Sequence, residues 1–414
     1  MDVGIFLEIR QRMQSGLLII RELKTASWPV DITVMPSSVE IKSGKDGKTI
    51  KLPPEVRIVP SSCRGLQYVP GDGLHVRLLV QAGLNTKLVS TVSDSLKSKK
   101  SCTFYCQSCG EIVINDRVFL RVLSLPSENW NDLVEEWCCH PNPFNSSMFC
   151  PQNEDCFLGH SYFLVNSGSV STASESETLH SETRSGSNGP ALNSKANIVI
   201  CKRCKTLLGE TMSSGVTKYY FTELLVQSSE DSFNMIPRSH FIQNVVAQCL
   251  LELATTRSTF RFSIQGVDGT VYILMWLLNS DTLLVESLGS LASSNVFTLF
   301  DHGMSLDWRF SEIKNTIKVL YHSCIKSRNK DLVAAWENDT GVHPLTFPSK
   351  TCLELLLLLS QSNASLPPSL RWMNSFQCIL PRTSHNDNSA SCCLTVYTRP
   401  AVETAQKPSS GQLS

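Results

Sequence analysis

The sequence has no excess charge of either sign: Lys plus Arg number 37, Asp plus Glu also number 37, and the formal net charge is zero. Because proteins that hold nucleic acid through its phosphates need surplus Lys and Arg, this balance argues against direct nucleic-acid binding. The first ten residues, MDVGIFLEIR, lack the basic start and long apolar stretch of a secretion signal, so we expect none. The longest apolar run, 271–278, is far too short to span a bilayer, and we expect no membrane contact.

The sequence also lacks the short motifs that identify common catalytic classes. It has no Gly-rich phosphate loop, no G-x-S-x-G motif and no H-E-x-x-H motif. Nucleotide-dependent and hydrolytic activities therefore have no motif to support them. The chain does contain sixteen cysteines. In a protein without an expected export signal, these predict free thiols and zinc ligands rather than disulfides.

Two C-x-x-C motifs lie far apart in the chain, Cys106-Gln-Ser-Cys109 and Cys201-Lys-Arg-Cys204. Such a motif bends the backbone tightly and places two thiolates on one side of the bend, which is half of a tetrahedral zinc site. Each motif is followed by a polar turn and then by an apolar, strand-forming segment. This repetition predicts two zinc-ribbon halves that meet in space and share one zinc ion. Four thiolates leave no open coordination position, so the predicted role of the zinc is structural.

Other interpretations of the two motifs remain open. The four cysteines could be unrelated free thiols, and a single C-x-x-C motif in a cytosolic protein can also be a redox pair. The recurrence of the flanking pattern favours the zinc interpretation.

A second group of metal-ligating residues follows a predicted helix that begins at Ser127. The helix ends at Cys138-Cys139-His140, and Pro141 stops it. Further along lie Cys150, Cys156 and His160. Three interpretations compete: a second structural zinc site, cysteines packed at a helix end, or an exposed arm that offers a ligand to a metal held by a partner.

Cys352 is the candidate catalytic residue. It stands near the start of a predicted helix, where the helix dipole and free N–H groups would lower its pKa and favour the nucleophilic thiolate. Such a thiolate could accept an acyl group from another thioester. The competing interpretation is a buried, inert cysteine, because a run of leucines follows it.

The pattern along the chain predicts an α+β fold, with a β-rich N-terminal region, a zinc-ribbon-like centre and an α+β C-terminal region. Helices are predicted at about 237–255, 330–336 and 351–359, and an Asn-Ser-Asp turn at 279–281 is predicted to separate two strands. The predicted regions are a β-rich part (1–125), a helix with the Cys/His-rich segment (126–165), a flexible Ser/Gly-rich insertion (166–196), a second C-x-x-C part with the C-terminal region (197–380) and a disordered tail (381–414).

Several strings in the sequence are specific enough to be compared with a known family. They are NWNDLVEEWCCHP (129–141), CKRC (201–204), IPRS (236–239), STFRF (258–262), WLLNSD (276–281) and TCLELL (351–356). Together they resemble the HECT-like E3 ubiquitin ligases also described as E2-C-binding proteins, and the resemblance covers residues 1 to about 377. The Thr351-Cys352 dipeptide before a Leu-rich stretch matches the ordinary HECT pattern. The fuller HECT signature is missing, and the chain continues beyond the point where relatives end.

This resemblance implies ubiquitin transfer to protein substrates through a thioester on Cys352, with ubiquitin accepted from an E2 enzyme of the cyclin-selective type. It implies cyclin-B-like substrates, and an E2-binding helix from about Met235 to Arg257. An amphipathic helix suits such a role. The predicted contact residues in it are Ile236, Arg238, Phe241 and Val245.

The same resemblance implies a second role. The segment Trp137-Cys138-Cys139-His140 resembles a segment that docks in the active site of the metallo-β-lactamase endonuclease of the pre-mRNA 3′-end cleavage complex. Cys138 would then ligate the nuclease zinc in trans, and the protein would act as an inhibitor or assembly chaperone. We expect the protein in the cytoplasm and also in the nucleus.

Overall fold

The computed structural model describes residues 4–21, 30–43, 46–52, 54–82, 96–125, 150–166, 174–177, 197–212, 215–228, 236–287, 312–324, 329–372 and 390–396. Within these ranges the protein is rich in strands and has three α-helices, which confirms the predicted β-rich α+β class.

The first twelve strands are β1 (Ile5–Arg10), β2 (Ser15–Arg21), β3 (Val30–Met35), β4 (Ser38–Ser43), β5 (Asp46–Lys51), β6 (Val56–Val69), β7 (Gly73–Ala82), β8 (Ser101–Cys106), β9 (Ile112–Val118), β10 (Arg121–Ser124), β11 (Asp155–Leu158) and β12 (Tyr162–Asn166). The remaining strands are β13 (Ser174–Glu177), β14 (Asn197–Cys201), β15 (Leu207–Thr211), β16 (Val216–Tyr220), β17 (Leu224–Ser228), β18 (Arg261–Gly266), β19 (Val271–Ser287), β20 (Glu312–Ser323), β21 (Val342–Phe347) and β22 (Ala390–Val396). The helices are α1 (Arg238–Arg257), α2 (Lys330–Glu337) and α3 (Ser349–Ser365).

The largest sheet has nine strands and joins both ends of the described chain. Its main order is β21-β18-β19-β1-β2-β7-β6, with β20 on β19 and β22 on β20. The long strand β19 makes this possible, because its first half pairs with β18 and its second half pairs with β1. Strands from the predicted 1–125 and 197–380 regions therefore share one sheet.

Period-two alternation explains which face of β7 is buried. Val76, Leu78 and Val80 are buried, while the intervening Arg77 and Leu79 are exposed. The buried face packs against the small sheet β3-β4-β5 to form the N-terminal core. Val39, Ile41 and Ile50 are contributed to this core by the small sheet.

A buried ion pair joins two strands of the nine-stranded sheet, β1 and β20, that both pair with β19. The Lys318 ammonium of β20 donates to both carboxylate oxygens of Glu8 on β1, at 3.0 and 2.8 Å. The side chains of Glu8 and Lys318 are only 4% and 11% exposed. The pair therefore links the N-terminal strand to the C-terminal part of the sheet with charges that water barely reaches.

A seven-stranded sheet, β10-β11-β12-β16-β15-β14-β13, and a three-stranded sheet, β17-β8-β9, form the central region. Aromatic rings join the two layers: the Phe104 ring lies 5.3 Å from that of Phe163, which lies 5.5 Å from that of Tyr219. Buried apolar area is the main favourable term in folding, so this stack holds the two sheets together.

Helix α1 is buried around most of its circumference rather than along one stripe. Its buried residues include Phe241, Val245 and Leu253, and the more exposed positions form a narrow strip that includes Gln248 and Thr255. The apolar face predicted for this helix is buried, and the core covers further positions beyond that face. Binding of an E2 by the helix stays a prediction. Across the described ranges, no helix is both long and apolar enough to cross a bilayer.

Three further differences from the sequence-based expectations concern extended segments. The predicted turn at 279–281 is wrong, because β19 continues through it with register shifts. Strand β13 lies inside the predicted flexible insertion and pairs with β14. Strand β22 lies inside the predicted disordered tail and pairs with β20. The helix predicted from Ser127 lies outside the described residues.

Candidate metal centre and the cysteine helix

The first C-x-x-C motif forms a tight knuckle between β8 and β9. Cys106 ends β8, its amide donates to the carbonyl of Glu111 (2.7 Å), and its carbonyl accepts from the amide of Gly110 (2.8 Å). Gly110 has a φ of +74°, in the left-handed region that glycine adopts without steric cost. The residue that follows the second thiol therefore turns the chain sharply back.

The second motif forms the same knuckle between β14 and β15. The amide of Cys201 donates to the carbonyl of Thr206 (2.9 Å), and its carbonyl accepts from the amide of Lys205 (2.9 Å). Lys205 takes the position of Gly110 in the first knuckle and also has a positive φ, +58°. The knuckles share their geometry although only one has glycine at the turn.

The tertiary structure brings the two knuckles together. The sulfur of Cys106 lies 3.6 Å from that of Cys204, and the sulfur of Cys109 lies 3.6 Å from that of Cys201. All four sulfur atoms lie within 4.8 Å of one another. A zinc ion bound tetrahedrally at about 2.3 Å separates its sulfur ligands by roughly 3.8 Å, so the cluster fits such an ion.

The thiols of this cluster differ in acidity. Burial raises the pKa of Cys106 well above its ordinary value, and burial likewise raises the pKa of Cys109. Burial also raises the pKa of Cys204, but hydrogen bonds with Thr206 and the neighbouring thiols outweigh it and lower that pKa to about 6. Metal binding must displace the remaining protons, so the affinity of the cluster for zinc should rise with pH.

Among the described residues, these four cysteines are the one group of three or more potential ligands close enough to share an ion. Cys156 is fully buried within β11, and burial raises its pKa. His160 lies at the turn before β12, and its Nδ1 is buried without a hydrogen-bond partner. Cys150 is half-buried and packs against the apolar cluster that contains Phe157 and Tyr162. The remaining members of the predicted second group, Cys138, Cys139 and His140, lie outside the described residues, as does Trp137.

His160 lies in a small pocket beside α1, with a volume of about 70 Å³. Its ring meets that of His343 edge-on at 5.9 Å, and its Nδ1 lies 3.8 Å from the Glu252 carboxylate. Burial and the nearby Arg257 lower the pKa of His160. Burial, Arg257 and His160 lower the pKa of His343 to about 4.

These two histidines predict a loss of stability in mild acid. The unfolded chain binds protons at histidine below about pH 6.5, whereas the folded chain resists them, so stability rises with pH between about 4 and 6.5. We expect His343→Gln to flatten the pH dependence of the urea midpoint over this window. An unchanged slope in His343→Gln would contradict this prediction.

Cys352 lies in the first turn of α3, where the sequence predicts it. Its side chain is fully buried, and its sulfur contacts the carbonyl oxygen of Gln265 at 3.4 Å. The prediction of a lowered pKa is wrong, because burial outweighs the helix terminus and raises the pKa of Cys352 to about 12. In this conformation Cys352 is a shielded thiol, and its assignment as the thioester cysteine stays a prediction.

The predicted E2-contact residues of the α1 region face the protein interior. Phe241 and Val245 are 6% and 4% exposed and belong to the central core. Ile236 is half-buried against the same core. Arg238 is half-buried and bridges Glu223 and Glu354. These positions hold α1 in place in the described conformation, and contact with a partner through them stays a prediction.

Sequence reasoning missed Glu223, whose carboxylate is 1% exposed and accepts hydrogen bonds from Arg238 and Thr351. A glutamate in a short turn normally lies on the surface, so only one signal pointed to it. That signal is the position of Glu223 directly before the apolar strand β17, where a buried carboxylate would need a positively charged partner.

Comparisons with known proteins identify the family of this chain. Residues 8–378 match the family described as HECT-like Ubiquitin-conjugating enzyme (E2)-binding. The chain is 55% identical over 379 residues to a protein of Homo sapiens named as an E3 ubiquitin-protein ligase, and the match covers 91% of this chain and 97% of the relative. It is 54% identical over 376 residues to the protein of the same name from Mus musculus, and that match covers 91% and 97%.

The protein of the same name from Bos taurus is 52% identical over 379 residues, again covering 91% of this chain and 97% of the relative. No solved structure matches the chain at a significant level. The match to the family extends over nearly the whole chain and takes in both cysteine knuckles and Cys352. This chain therefore belongs to the HECT-like, ubiquitin-conjugating-enzyme-binding family.

Proposed function

We propose that this protein is an E3 ubiquitin ligase that binds a ubiquitin-loaded E2 and promotes transfer of ubiquitin to protein substrates. The observation that carries the proposal is the match of residues 8–378 to an E2-binding family, together with relatives named as E3 ubiquitin-protein ligases. Cyclin-B-like substrates and the cyclin-selective type of E2 are narrower predictions from the sequence resemblance.

The proposed chemical route passes through a thioester. The thiolate of Cys352 attacks the carbonyl carbon of the E2–ubiquitin thioester, the bond to the E2 sulfur breaks, and the E2 thiolate leaves. A lysine amine of the substrate then attacks the new thioester and releases Cys352. Because the thiol is fully buried beside Gln265, this route requires the first turn of α3 to move when E2 binds.

An E2-discharge assay tests both parts of the proposal. We expect the wild-type chain to speed the loss of the E2–ubiquitin thioester and to form a reducible ubiquitin adduct. Cys352→Ala should abolish the adduct, whereas Cys324→Ala, which removes a different and only partly buried thiol, should leave it. Discharge without any reducible adduct would retain the ligase but contradict the thioester route. No effect on discharge would contradict the ligase itself.

The exposed positions of α1 are where E2 contact is proposed, since its buried face packs inside the protein. Glu252 and Thr255 are exposed on this helix. Glu252→Arg and Thr255→Arg are therefore expected to weaken E2 binding without unfolding the chain. Unchanged E2 affinity in both variants would remove α1 from the E2 interface.

We further propose that Cys106, Cys109, Cys201 and Cys204 hold one structural zinc ion. The mutual distances of the sulfur atoms support this proposal, and four protein ligands leave no position for a reacting water. The zinc would join the two ribbon sheets, and ubiquitin transfer would take place elsewhere. The predicted role as an endonuclease inhibitor, with Cys138 on the partner's zinc, stays a prediction for a segment outside the described residues.

A further inference from the structure

Arg238, the first residue of α1, lies between the first cysteine knuckle and the helix that carries Cys352. Its guanidinium donates to both oxygens of Glu223 at 3.2 Å and to Glu354 at 2.8 Å. The side chain is 21% exposed, and that of Glu223 is 1% exposed. A buried carboxylate of this kind is tolerated only when it is well paired, so Arg238 cannot move without leaving Glu223 uncompensated.

On one side, Arg238 reaches into the cysteine knuckle. Its Nη1 donates to the side-chain oxygen of Gln107 at 3.1 Å. Gln107 lies between the two ligands of the first motif, its amide donates to the carbonyl of Glu223 at 2.9 Å, and its side-chain nitrogen reaches the carbonyl of Ile236 at 3.5 Å. The position of Gln107 therefore depends on the shape of the knuckle.

On the other side, Arg238 holds the first turn of α3. Its Nη2 donates to the hydroxyl of Thr351 at 3.3 Å, and that hydroxyl donates to Glu223 at 2.6 Å. Thr351 is 1% exposed and directly precedes Cys352. Together with the bond to Glu354 one turn later, these contacts fix the helical turn whose packing shields the Cys352 thiol.

We propose that Arg238 is a positioning residue that couples metal occupancy of the four-cysteine cluster to the accessibility of the Cys352 thiol. This inference rests on the zinc site proposed above and is independent of ubiquitin transfer. A bound ion fixes the knuckle, and Gln107 then holds Arg238 against Glu223 and Thr351. Since such coupling is reciprocal, a change that frees the α3 turn must also weaken the hold on the metal.

The test measures both ends of the coupling on the full, zinc-loaded chain. One readout is the rate at which N-ethylmaleimide modifies Cys352, followed by peptide mass spectrometry. The other is the rate of zinc transfer to a coloured chelator. We expect Gln107→Ala to raise both rates by about 5- to 150-fold, the usual range of coupling between sites. Arg238→Met should raise both at least as much.

Matched controls separate coupling from general loosening. Cys249 is a buried thiol on α1 that contacts the carbonyl of His160, away from this network, so its modification rate reports global opening. Ser108→Ala changes the exposed neighbour of Gln107 within the same motif and should alter neither rate. Arg238→Lys keeps the positive charge beside Glu223 but lacks the planar guanidinium that donates to several partners. Compared with Arg238→Met, it should therefore restore stability more fully than it restores the slow modification of Cys352 or the slow transfer of zinc.

The double variant Gln107→Ala with Arg238→Met completes the test, because residues in one network should show non-additive effects. The inference is overturned if Gln107→Ala changes only one of the two rates, or neither. It is also overturned if the variants raise the modification rate of Cys249 by the same factor as that of Cys352. If the protein folds normally without zinc, the proposed zinc site and this inference are both wrong. The E2-discharge assay would still test the proposed ligase activity independently.

Discussion

Cys201→Ser is expected to abolish zinc binding and to cause the largest loss of stability of any single substitution considered. A structural zinc ion contributes roughly 10–16 kcal/mol of apparent binding free energy. This is comparable to the whole stability of a typical folded protein, about 5–15 kcal/mol. Cys201 also lies in the central core that joins both ribbon sheets to α1 and α3. Metal content and thermal unfolding of the purified variant measure the two effects.

Cys63→Ser is the matched control for this experiment. Cys63 is exposed on β6 and lies far along the chain from the cluster, so its loss should change neither zinc content nor the unfolding temperature. A Cys201→Ser protein that retains one zinc ion per chain would contradict the four-cysteine site. So would wild-type protein that folds normally after exhaustive chelation.

The second large effect is expected for Glu8→Ala. Removing one partner of a buried ion pair leaves the other charge without compensation, which typically costs about 3–5 kcal/mol. Here that other charge is the ammonium of Lys318, whose side chain is 11% exposed in the intact pair. Urea unfolding should show a lower midpoint with an unchanged slope, as expected when stability alone falls.

Replacing both members of the pair tests the physical reason for this effect. Glu8→Leu with Lys318→Met fills the same space with apolar groups, and such exchanges are often neutral or stabilising. The double variant should therefore be markedly more stable than Glu8→Ala. If the double variant is as unstable as the single one, packing rather than the unpaired charge explains the loss.

The α3 helix illustrates how far local pattern predicts function. Its position follows from the Leu-rich segment that begins at Thr351, and the sequence places Cys352 in its first turn. Helix-end electrostatics alone predict a lowered pKa for this thiol. The strand β18 and the core around it cover the sulfur, and desolvation reverses the direction of the shift. No pattern within a few residues of Cys352 carries that information.

Strand β19 illustrates the same limit for the fold. Asn279-Ser280-Asp281 is typical of a tight turn, and its local chemistry predicts a hairpin. In the structure the strand continues, since β1 pairs with its second half and β20 lies along its other edge. Hydrogen bonds with strands remote in sequence outweigh the turn preference of these three residues. The pairing of β19 with β20 shifts register at this point, so the strand continues with a local irregularity.

The sequence by itself determined the two cysteine knuckles, because a C-x-x-C bend depends only on residues close together in the chain. Only the tertiary structure decided that the thiols of Cys106 and Cys204, 98 positions apart, lie 3.6 Å from each other. It also decided that Arg238 lies between a knuckle and the Cys352 helix. Local pattern specifies backbone shape, whereas burial and charge pairing arise only when distant elements pack, and these set the chemistry of the thiols.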